Sequence, residues 1–533
     1  MGGGEIQLVA YGIENIYLTS DPQITFFKTV YRRHTNFSTE EIPLYFNQIP
    51  NFGEKVSCII NSEGDLLNNI GLVIKLPLIK DLSNENTVIN NYNYSDYQYN
   101  KFAWVRKIGY HILKSVEIEI NGRVIDRHYG EWLNIWNELT MSSDKIEGNN
   151  INIGNIPQLY NFTSNKNEYI LRIPLQFWFC RGSGLSLPIV SLQYSQIKIN
   201  VEFNDLDNCF IKSPTHYIEC TNNIINCVKY EYIEQNIDNE IRSGLFIDYD
   251  IFNKRLYYIK LSSKKLIGFN SESNLILTEN QKNELLQTND AKKYIIKGNT
   301  SKFEIVPIIN GISKSNFISS FDYINISESY LLVNYIFLDE EERLKISQVK
   351  HEYLIEQLYF TPTTKLEGLN RNLKLTIEQP CKLLAWITQR EDIYNSGDIY
   401  NYTDSFIKKL YISENDVLIG EELGKSLILE ETLLLNGKER ISLRKNNYFN
   451  YCQSYENSKY NLSEGINLYS FALNPTQVQP SGTCNMSQID SIELKLSLSE
   501  LININNQVNF RAYGLVYNIL RISNGLAGLL FTR

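Results

Sequence analysis

The chain has 533 residues, of which 43% are hydrophobic and 21% charged, and its formal net charge is −9. This composition is typical of a folded protein with room for several buried cores, and it excludes a disordered chain. An acidic chain without a basic tail is also a poor match to proteins that wrap nucleic acid, because neutralising phosphates supplies most of that affinity.

The amino-acid bias favours strands over helices. The chain holds 36 Tyr and 24 Phe against 3 Met, and Asn is abundant throughout. Aromatic residues favour strands, and Asn favours the turns between them. The eight cysteines include no C-x-x-C pair, so we expect buried thiols of a reducing compartment and no zinc site. No secretory leader and no apolar run of ~18 residues is visible, so neither secretion nor a membrane span is expected.

The first predicted element lies near the amino terminus. Asp21 followed by Pro22 is typical of a helix start, and the apolar residues that follow include four at helical spacing. The apolar residues of this segment are Ile24, Phe26, Phe27, Val30 and Tyr31. Such a segment is too apolar to lie free in water.

Alternating polar and apolar residues predict half-buried antiparallel strands in both halves of the chain. The alternation covers residues 116–120, 197–203 and 492–498. The pairs Asn121-Gly122 and Asn436-Gly437 follow apolar strands and predict hairpin turns, because both residue types tolerate positive φ. Helices are few: apolar side chains recur at helical spacing over residues 132–139, and Asp339 with Glu342 predicts a helix start.

The two halves carry similar landmarks in the same order, which indicates an internal repeat. Each half has an Asn-Gly turn and, later, a Ser-Gln-Ile triplet before an alternating strand, at Ser195 and at Ser487. Between them, about residues 216–325 are rich in Lys, Asn and Ser, and we interpret them as an insertion that folds in part. Because residues 228–232 resemble residues 333–337, the first strand of the second copy is expected at one of these two places.

Near-motifs of catalysis fail on chemical grounds. Residues 420–426 resemble a phosphate-binding loop, but they are one residue short and place two carboxylates where phosphate would lie. His351 and Glu352 begin a zinc-protease pattern, but Ile355 occupies the position of the second His. Five histidines leave little material for acid–base chemistry, and no carboxylate pair stands out. We therefore predict no catalytic, metal-binding or cofactor-binding residues.

Sequons for N-glycosylation are numerous, and the Asn-rich composition accounts for most of them. We take Asn299 and Asn401 as candidate glycosylation sites. A chain without a secretory signal is not expected to meet the host's usual oligosaccharide machinery.

Several sequence blocks follow one another from end to end in an order typical of one protein family. They are residues 6–12 and 21–37, residues 173–179 and 184–188, residues 337–343 and 351–357, residues 379–382 and 469–473, and residues 518–528. Together they resemble the major capsid proteins of nucleocytoplasmic large DNA viruses, the double jelly-roll family, in its algal-virus and mimivirus-like branch. The central region has no counterpart in that pattern.

This resemblance implies an all-β fold of two consecutive eight-stranded antiparallel jelly rolls, with a few short helices and a large insertion. The implied division is residues 1–37 as an amino-terminal arm, 38–215 as the first roll, 216–325 as the insertion and 326–533 as the second roll. We expect a structural major capsid protein that is not an enzyme and needs no cofactor.

The resemblance also implies the partners. We expect homotrimeric, pseudo-hexagonal capsomers that tile an icosahedral shell. Independently of the resemblance, we place the arm at the capsomer base, because it is too apolar to lie free in water, and we expect the insertion on the outer surface. Neighbouring capsomers and minor capsid and penton proteins are the expected contacts, an internal membrane is contacted only indirectly, and no direct nucleic-acid binding is expected. The expected location is the virion capsid, with synthesis and assembly in a viral factory of the host cytoplasm.

Three other classes of protein remain open from the residues. A carbohydrate-binding jelly roll would present exposed aromatic residues beside carboxylates, and the abundant Tyr makes glycan binding testable. A β-sandwich hydrolase would need a paired acid and base, and no pair is favoured. A minor capsid or penton subunit is the closest alternative, but such proteins usually carry a single roll, whereas this chain shows an internal repeat.

Overall fold

The computed structural model describes residues 2–79, 101–221, 231–238, 240–262, 264–270, 288–299, 301–315, 324–405, 424–458, 461–500, 502 and 507–531. Antiparallel sheets dominate this part of the chain, and the helices within it are short and lie in the amino-terminal segment and in connections between strands.

The strands are numbered in chain order. The first are β1 (Phe37–Tyr45), β2 (Lys55–Ile60), β3 (Leu66–Leu76), β4 (Lys101–Trp104), β5 (Leu113–Ile120), β6 (Arg123–His128), β7 (Tyr169–Pro174), β8 (Leu187–Pro188), β9 (Ile197–Phe203) and β10 (Phe210–Ser213). The central region adds β11 (His216–Glu219), β12 (Tyr232–Ile237), β13 (Glu240–Asp250), β14 (Arg255–Lys260), β15 (Ile296–Gly298), β16 (Glu304–Ile305) and β17 (Lys314–Ser315). Then come β18 (Glu328–Leu338), β19 (His351–Leu366), β20 (Asn370–Leu375), β21 (Pro380–Arg390), β22 (Ile428–Leu435), β23 (Lys438–Lys445), β24 (Ile466–Ser470), β25 (Cys484–Asn485), β26 (Ile492–Leu498), β27 (Val508–Ser523) and β28 (Leu526–Leu529).

The α-helices are short. They are α1 (Gly3–Val9), α2 (Ile13–Thr19), α3 (Ile108–His111), α4 (Gly130–Thr140), α5 (Ile146–Asn152), α6 (Pro157–Tyr160), α7 (Leu206–Cys209), α8 (Asn289–Lys292), α9 (Glu340–Gln348), α10 (Glu391–Asn395) and α11 (Gln453–Asn457). A π-helical turn, Tyr448–Cys452, leads directly into α11. The predicted helix start at Asp339 is confirmed, because its side chain accepts a hydrogen bond from the Glu342 backbone N at 2.9 Å.

Two jelly rolls with the same strand order make up most of the molecule, as predicted. The first consists of the sheets β1-β18-β3-β7 and β2-β9-β5-β6, and the second of β19-β27-β21-β24 and β20-β26-β22-β23. Alternating strands such as β9 and β26 turn one apolar face to the core, which lies between the two sheets of each roll. The matching order accounts for the repeat seen in the sequence.

The boundary between the rolls differs from the predicted one at residue 326. Strand β18 pairs with β1 and β3, so it completes the first roll and does not begin the second. The last strand of a jelly roll pairs beside its first strand. The prediction was wrong because the long insertion separates β18 from the rest of the first roll in the sequence, so β18 looked like the start of the second roll. Residues 333–337, one of the two candidate starts of the second copy, therefore lie in the first roll, and the second roll's first strand is β19.

The central region forms a sheet of its own between β9 and β18 of the first roll. Its strand order is β16-β15-β12-β13-β14-β11-β17, and it packs around a small core that includes Ile233, Leu256 and Tyr258. The chain leaves and returns at neighbouring points: Gly53 N donates to the Asn204 carbonyl at 3.0 Å, and Asn51 Nδ2 donates to Asn325 Oδ1 at 2.9 Å. The region is thus an excursion from one connection of the first roll.

Both predicted hairpin turns are present. Asn121 and Gly122 have φ of 52° and 78° between β5 and β6, and Asn436 and Gly437 have φ of 50° and 74° between β22 and β23. These left-handed angles are tolerated by Asn and Gly, which is why the sequence signal was reliable.

Consecutive strands of each roll run in opposite directions, so their connections alternate between two ends. The β2–β3 turn and the end of β18 share one end, because the Leu338 backbone N donates to Asp65 Oδ2 at 2.9 Å. Phe37, which pairs with Leu338, begins β1 at that same end. We call this the turn end; the central sheet leaves from the opposite one, the insertion end.

Candidate assembly surfaces

Helix α4 joins the two rolls through a buried apolar face. The helix lies between β6 and β7 of the first roll, and its buried large apolar side chains are Trp132, Leu133, Ile135, Trp136 and Leu139. All of these except Leu133 pack in one cluster with residues of β21, β24 and β27, on the outer face of the second roll's sheet. Each such side chain contributes about 1.5–3 kcal/mol when fully buried. The rolls are therefore held together by a core-like joint, and the predicted helix over residues 132–139 is confirmed.

A mostly buried ion pair crosses this joint. The Glu131 carboxylate accepts hydrogen bonds from two Arg511 nitrogens at 2.6 and 2.7 Å, and the Tyr513 hydroxyl donates to it at 2.5 Å. Burial alone would lower the pKa of Arg511, but the Glu131 carboxylate and the neighbouring tyrosines outweigh it and raise that pKa. Two parallel bonds fix the direction of approach as well as the distance.

A second charge cluster lies at the same joint. Glu356 on β19 binds both Arg181 of the first roll and Lys382 on β21. The Arg181 guanidinium also lies over the Trp136 ring, 4.1 Å from its centroid. One carboxylate serves two buried cations, so burial and the Arg181 charge lower the pKa of Lys382 to about 6.

Strand edges meet beside the helix. Strand β6 is the edge of the first roll's sheet β2-β9-β5-β6, and strand β19 is the edge of the second roll's sheet β19-β27-β21-β24. The Leu358 backbone N donates to Asp126 Oδ1 at 2.9 Å, and the Gln357 side chain donates to the Ile125 carbonyl. The joint thus has two parts: an edge strand against an edge strand, and the following helix against the sheet's outer face.

Only some of these joint residues could be predicted from the sequence. Helical spacing of apolar residues revealed α4, but the ion pairs join residues that are far apart in the chain, and no local pattern marks them. Glu131 and Arg511, for example, are 380 positions apart.

The amino-terminal segment leaves its apolar side chains open to solvent. Ile24, Phe26, Phe27, Val30 and Tyr31 are between 71% and 97% exposed in the single chain. The predicted helix from Asp21 is wrong: the segment folds as α1 and α2, and residues 21–36 contain no helix. A short helix in water needs tertiary packing of its apolar face, which the single chain does not supply here. Exposed apolar segments are typical of interaction surfaces, which makes this segment a candidate for one.

The candidate glycosylation residues lie in different surroundings. Asn299 is exposed beside β15, while the Thr300 of its sequon lies outside the described residues. Asn401 is buried, and its Nδ2 donates to Asp398 Oδ2 and to the Ser405 carbonyl, both at 2.8 Å. The amide nitrogen that a sugar would need is thus occupied in the folded chain.

The described residues give no catalytic constellation. They contain no group of three or more His, Cys, Asp or Glu placed to hold a metal ion. His351 lies in strand β19, so the zinc-protease helix is absent there, and the loop of residues 420–426 lies outside the described residues up to position 423. His111 is buried and bonded to the Asn208 carbonyl, and burial lowers its pKa to about 4. Within the same residues, no helix is long and apolar enough to cross a membrane.

One buried carboxyl was not foreseen. Glu431 in the second roll accepts hydrogen bonds from Trp386 Nε1 at 2.6 Å and from Asn446 Nδ2 at 2.8 Å. Burial raises the pKa of Glu431 to about 8, because the two bonds only partly offset the loss of water. The side chain is a fully buried group in the interior of the second roll.

Two family models cover most of the chain. The model described as the amino terminus of major capsid proteins matches residues 25–249, and the model described as the large eukaryotic DNA virus major capsid protein matches residues 342–528. Probable capsid protein 4 of Acanthamoeba polyphaga mimivirus is 39% identical over 100% of this chain and 99% of its own length. The major capsid proteins of Phaeocystis pouchetii virus and Pyramimonas orientalis virus are 30% and 31% identical, with 100% of both chains covered in each comparison.

Solved structures share the fold. The PBCV-1 virus capsid chain matches with a TM-score of 0.60 at 23% identity, covering 96% of this chain and 100% of its own. The Faustovirus major capsid protein matches with a TM-score of 0.62 at 12% identity, covering 96% and 94%. Two jelly rolls joined in one chain therefore define a double jelly-roll capsid subunit. The chain belongs to the major capsid proteins of large eukaryotic DNA viruses, with relatives in mimivirus and in algal viruses.

Proposed function

We propose that three copies of this chain form a pseudo-hexagonal capsomer, and that such capsomers tile an icosahedral shell. The observation that supports this most strongly is the pair of rolls with the same strand order, held side by side by a buried joint. Three chains supply six similar rolls. A ring of six similar units presents similar edges in six directions, which hexagonal tiling requires.

The proposed role is mechanical and the protein is not an enzyme. Rigid β-sandwiches give a stiff block, and the long connections at the insertion end can vary without disturbing either core. Shape and buried interface do the work. The apolar joint and its two ion clusters support this, because they make the two rolls a single body.

The two ends of the block have different proposed roles. Residues 1–37 form an arm that packs at the capsomer base, since they enter β1 at the turn end with their apolar residues exposed. Residues 216–325 decorate the outer surface, since they leave from the insertion end. Residues 38–215 with β18 form the first roll, and the chain after β18 forms the second.

The base is the proposed contact for further partners. Neighbouring capsomers, minor capsid proteins and penton proteins meet the block there and along its sides, and an internal membrane is reached only through them. Direct nucleic-acid binding is not part of the proposal, since the net charge is −9. Assembly takes place in a cytoplasmic viral factory, and the site of action is the virion capsid.

Light scattering on the purified native protein tests the capsomer. The chain mass is 62.0 kDa, so a species of three chains that persists on dilution is expected. A monomer across the whole concentration range would overturn the proposal. Sedimentation of the same sample provides an independent measure of mass.

A further inference from the structure

We propose, resting on the trimer proposed above, that one edge of the second roll binds the first roll of another copy of this chain. The contact repeats the joint that already exists inside the chain. Its donor is the basic edge, defined as strand β23 together with the helical segment of residues 448–457. Its acceptor is strand β1 and the outer face of the sheet β1-β18-β3-β7.

The internal joint supplies the template. Edge strand β6 and the helix that follows it, α4, bind edge strand β19 and the outer face of its sheet. In the jelly-roll order, β23 is the second roll's counterpart of β6, and β1 is the first roll's counterpart of β19. The counterpart of α4 is the helical segment that begins three residues after β23 ends. Because the two rolls repeat one fold, the second roll has a counterpart of the surface that the first roll uses in the joint, and the first roll has a counterpart of the surface that receives it. These two counterpart surfaces can form the same contact between two chains.

The basic edge is uncovered in the single chain. Seven of the eight residues of β23 are exposed, and only Ile441 is partly buried. On the helical segment that follows, Tyr451 and Tyr455 lie one turn apart and are 41% and 84% exposed. Tyrosine contributes large contact area with little loss of side-chain entropy, so exposed tyrosines favour an interface.

The acceptor face is exposed along its edge strand β1 and partly exposed on β18. Leu44 and Leu331 point into the first roll's core, so their strand neighbours Pro43, Tyr45 and Leu332 point outward. Tyr45 is 63% exposed and contacts the Tyr330 ring at 5.6 Å between centroids. The equivalent face of the second roll is covered by helix α4, whereas no helix of the described residues covers this face of the first roll in the same way.

Opposite charges on strands β23 and β1 favour their pairing between two chains. Strand β23 carries Lys438, Arg440, Arg444 and Lys445 against the single carboxylate of Glu439. Strand β1 carries Glu40 and Glu41, both exposed. Among the residues that the structure describes, Glu40, Glu41 and Lys445 have no ion-pair partner, so these charges are available to another copy. Such opposite strips favour a head-to-tail contact, which can close into a ring.

Charge reversal tests the contact on the full chain. We expect Glu40→Lys with Glu41→Lys, and separately Arg444→Glu with Lys445→Glu, to raise the protein concentration at which the trimer dissociates by roughly tenfold or more. Combining all four substitutions in one chain restores opposite charges at every interface and should recover most of the loss. Lys297→Glu with Glu304→Lys is the control, because that exposed pair lies in the central sheet.

Tyr455→Ala is a second variant that does not depend on charge. The side chain is 84% exposed, so its loss should leave the fold intact and weaken only the trimer. A wild-type trimer whose dissociation is unchanged in the charge variants and in Tyr455→Ala would overturn this inference and leave the capsomer standing. A wild-type monomer would overturn both. Weakening without recovery in the fourfold variant would contradict the pairing of these two strips.

Discussion

The Glu131 carboxylate, on the first roll, holds Arg511 of the second through two short hydrogen bonds. Glu131→Gln removes the negative charge and leaves a mostly buried guanidinium unpaired, so we expect the free energy of unfolding to fall by about 3 kcal/mol. Glu352→Gln is the matched control: Glu352 pairs with Arg521 at 2.8 Å, but both side chains are half exposed, and a loss of about 1 kcal/mol or less is expected. Equal losses in denaturant unfolding would contradict the structural role of the joint pair.

Glu431 makes the stability of the second roll depend on pH. Folded, this carboxyl stays protonated up to about pH 8, whereas its ordinary pKa is 4.5. The unfolded chain therefore binds fewer protons between these values, so its contribution to stability is complete below about pH 4.5 and is lost as the pH rises through 8.

Comparing Glu431→Gln with the wild type in thermal unfolding at pH 5 and pH 8.5 isolates that contribution. The wild type should lose stability relative to the variant as the pH rises. Glu378→Gln, exposed between β20 and β21 of the same roll, should follow the wild type at both values. A constant difference between wild type and Glu431→Gln would show that the carboxyl does not change protonation on unfolding.

At the scale of elements, the arm of residues 1–37 exposes apolar side chains that we expect to be covered by a partner in the capsomer. Deleting residues 1–25 should leave both rolls folded, because the strands begin at Phe37, but should impair shell assembly. Circular dichroism checks the fold, and electron microscopy of assembled particles checks the shell. Replacing Ile24, Phe26 and Phe27 with Ser keeps the length and should have the same effect. Normal particles from both variants would rule out the arm's role at the base.

Elements with a local signal were predictable, and elements defined by distant partners were not. Alternation and the Asn-Gly pairs identified β5, β9, β26 and two hairpins, since these signals depend on neighbouring residues alone. The helix from Asp21 was wrong because its apolar face finds nothing to pack against in one chain. Strand β18 was assigned to the wrong roll because the sequence does not show which strands become neighbours.

The candidate site followed the same division. The apolar arm residues were visible in the sequence as residues that water would not tolerate, and the structure leaves them exposed. The ion clusters at the joint were not visible, because Arg181, Glu356 and Lys382 come together only when the two rolls pack. Family resemblance supplied the fold class, and strand pairing supplied the correct limits of the first roll.

At the scale of the whole molecule, the central sheet should be dispensable for the block. Asn204, which follows β9, and Asn325, which precedes β18, both bond to the turn of residues 51–53, so a flexible linker in place of residues 216–325 that reaches from the end of β10 to this turn can rejoin the chain. We expect the shortened protein to form the same trimer, because the joint and both rolls are untouched. Native mass measurement checks this, with the full chain as control. Loss of the trimer would place the region at an interface instead of on the outer surface.

Electron cryomicroscopy of the purified native protein tests the central claim most directly. We predict a particle of six similar rolls in a ring, with the turn ends and arms on one face and the central sheets on the opposite face. The joint of α4 with the second roll should recur between chains at the β23 edge. Particles that contain only two rolls, or rings with arms and central sheets on the same face, would contradict the account.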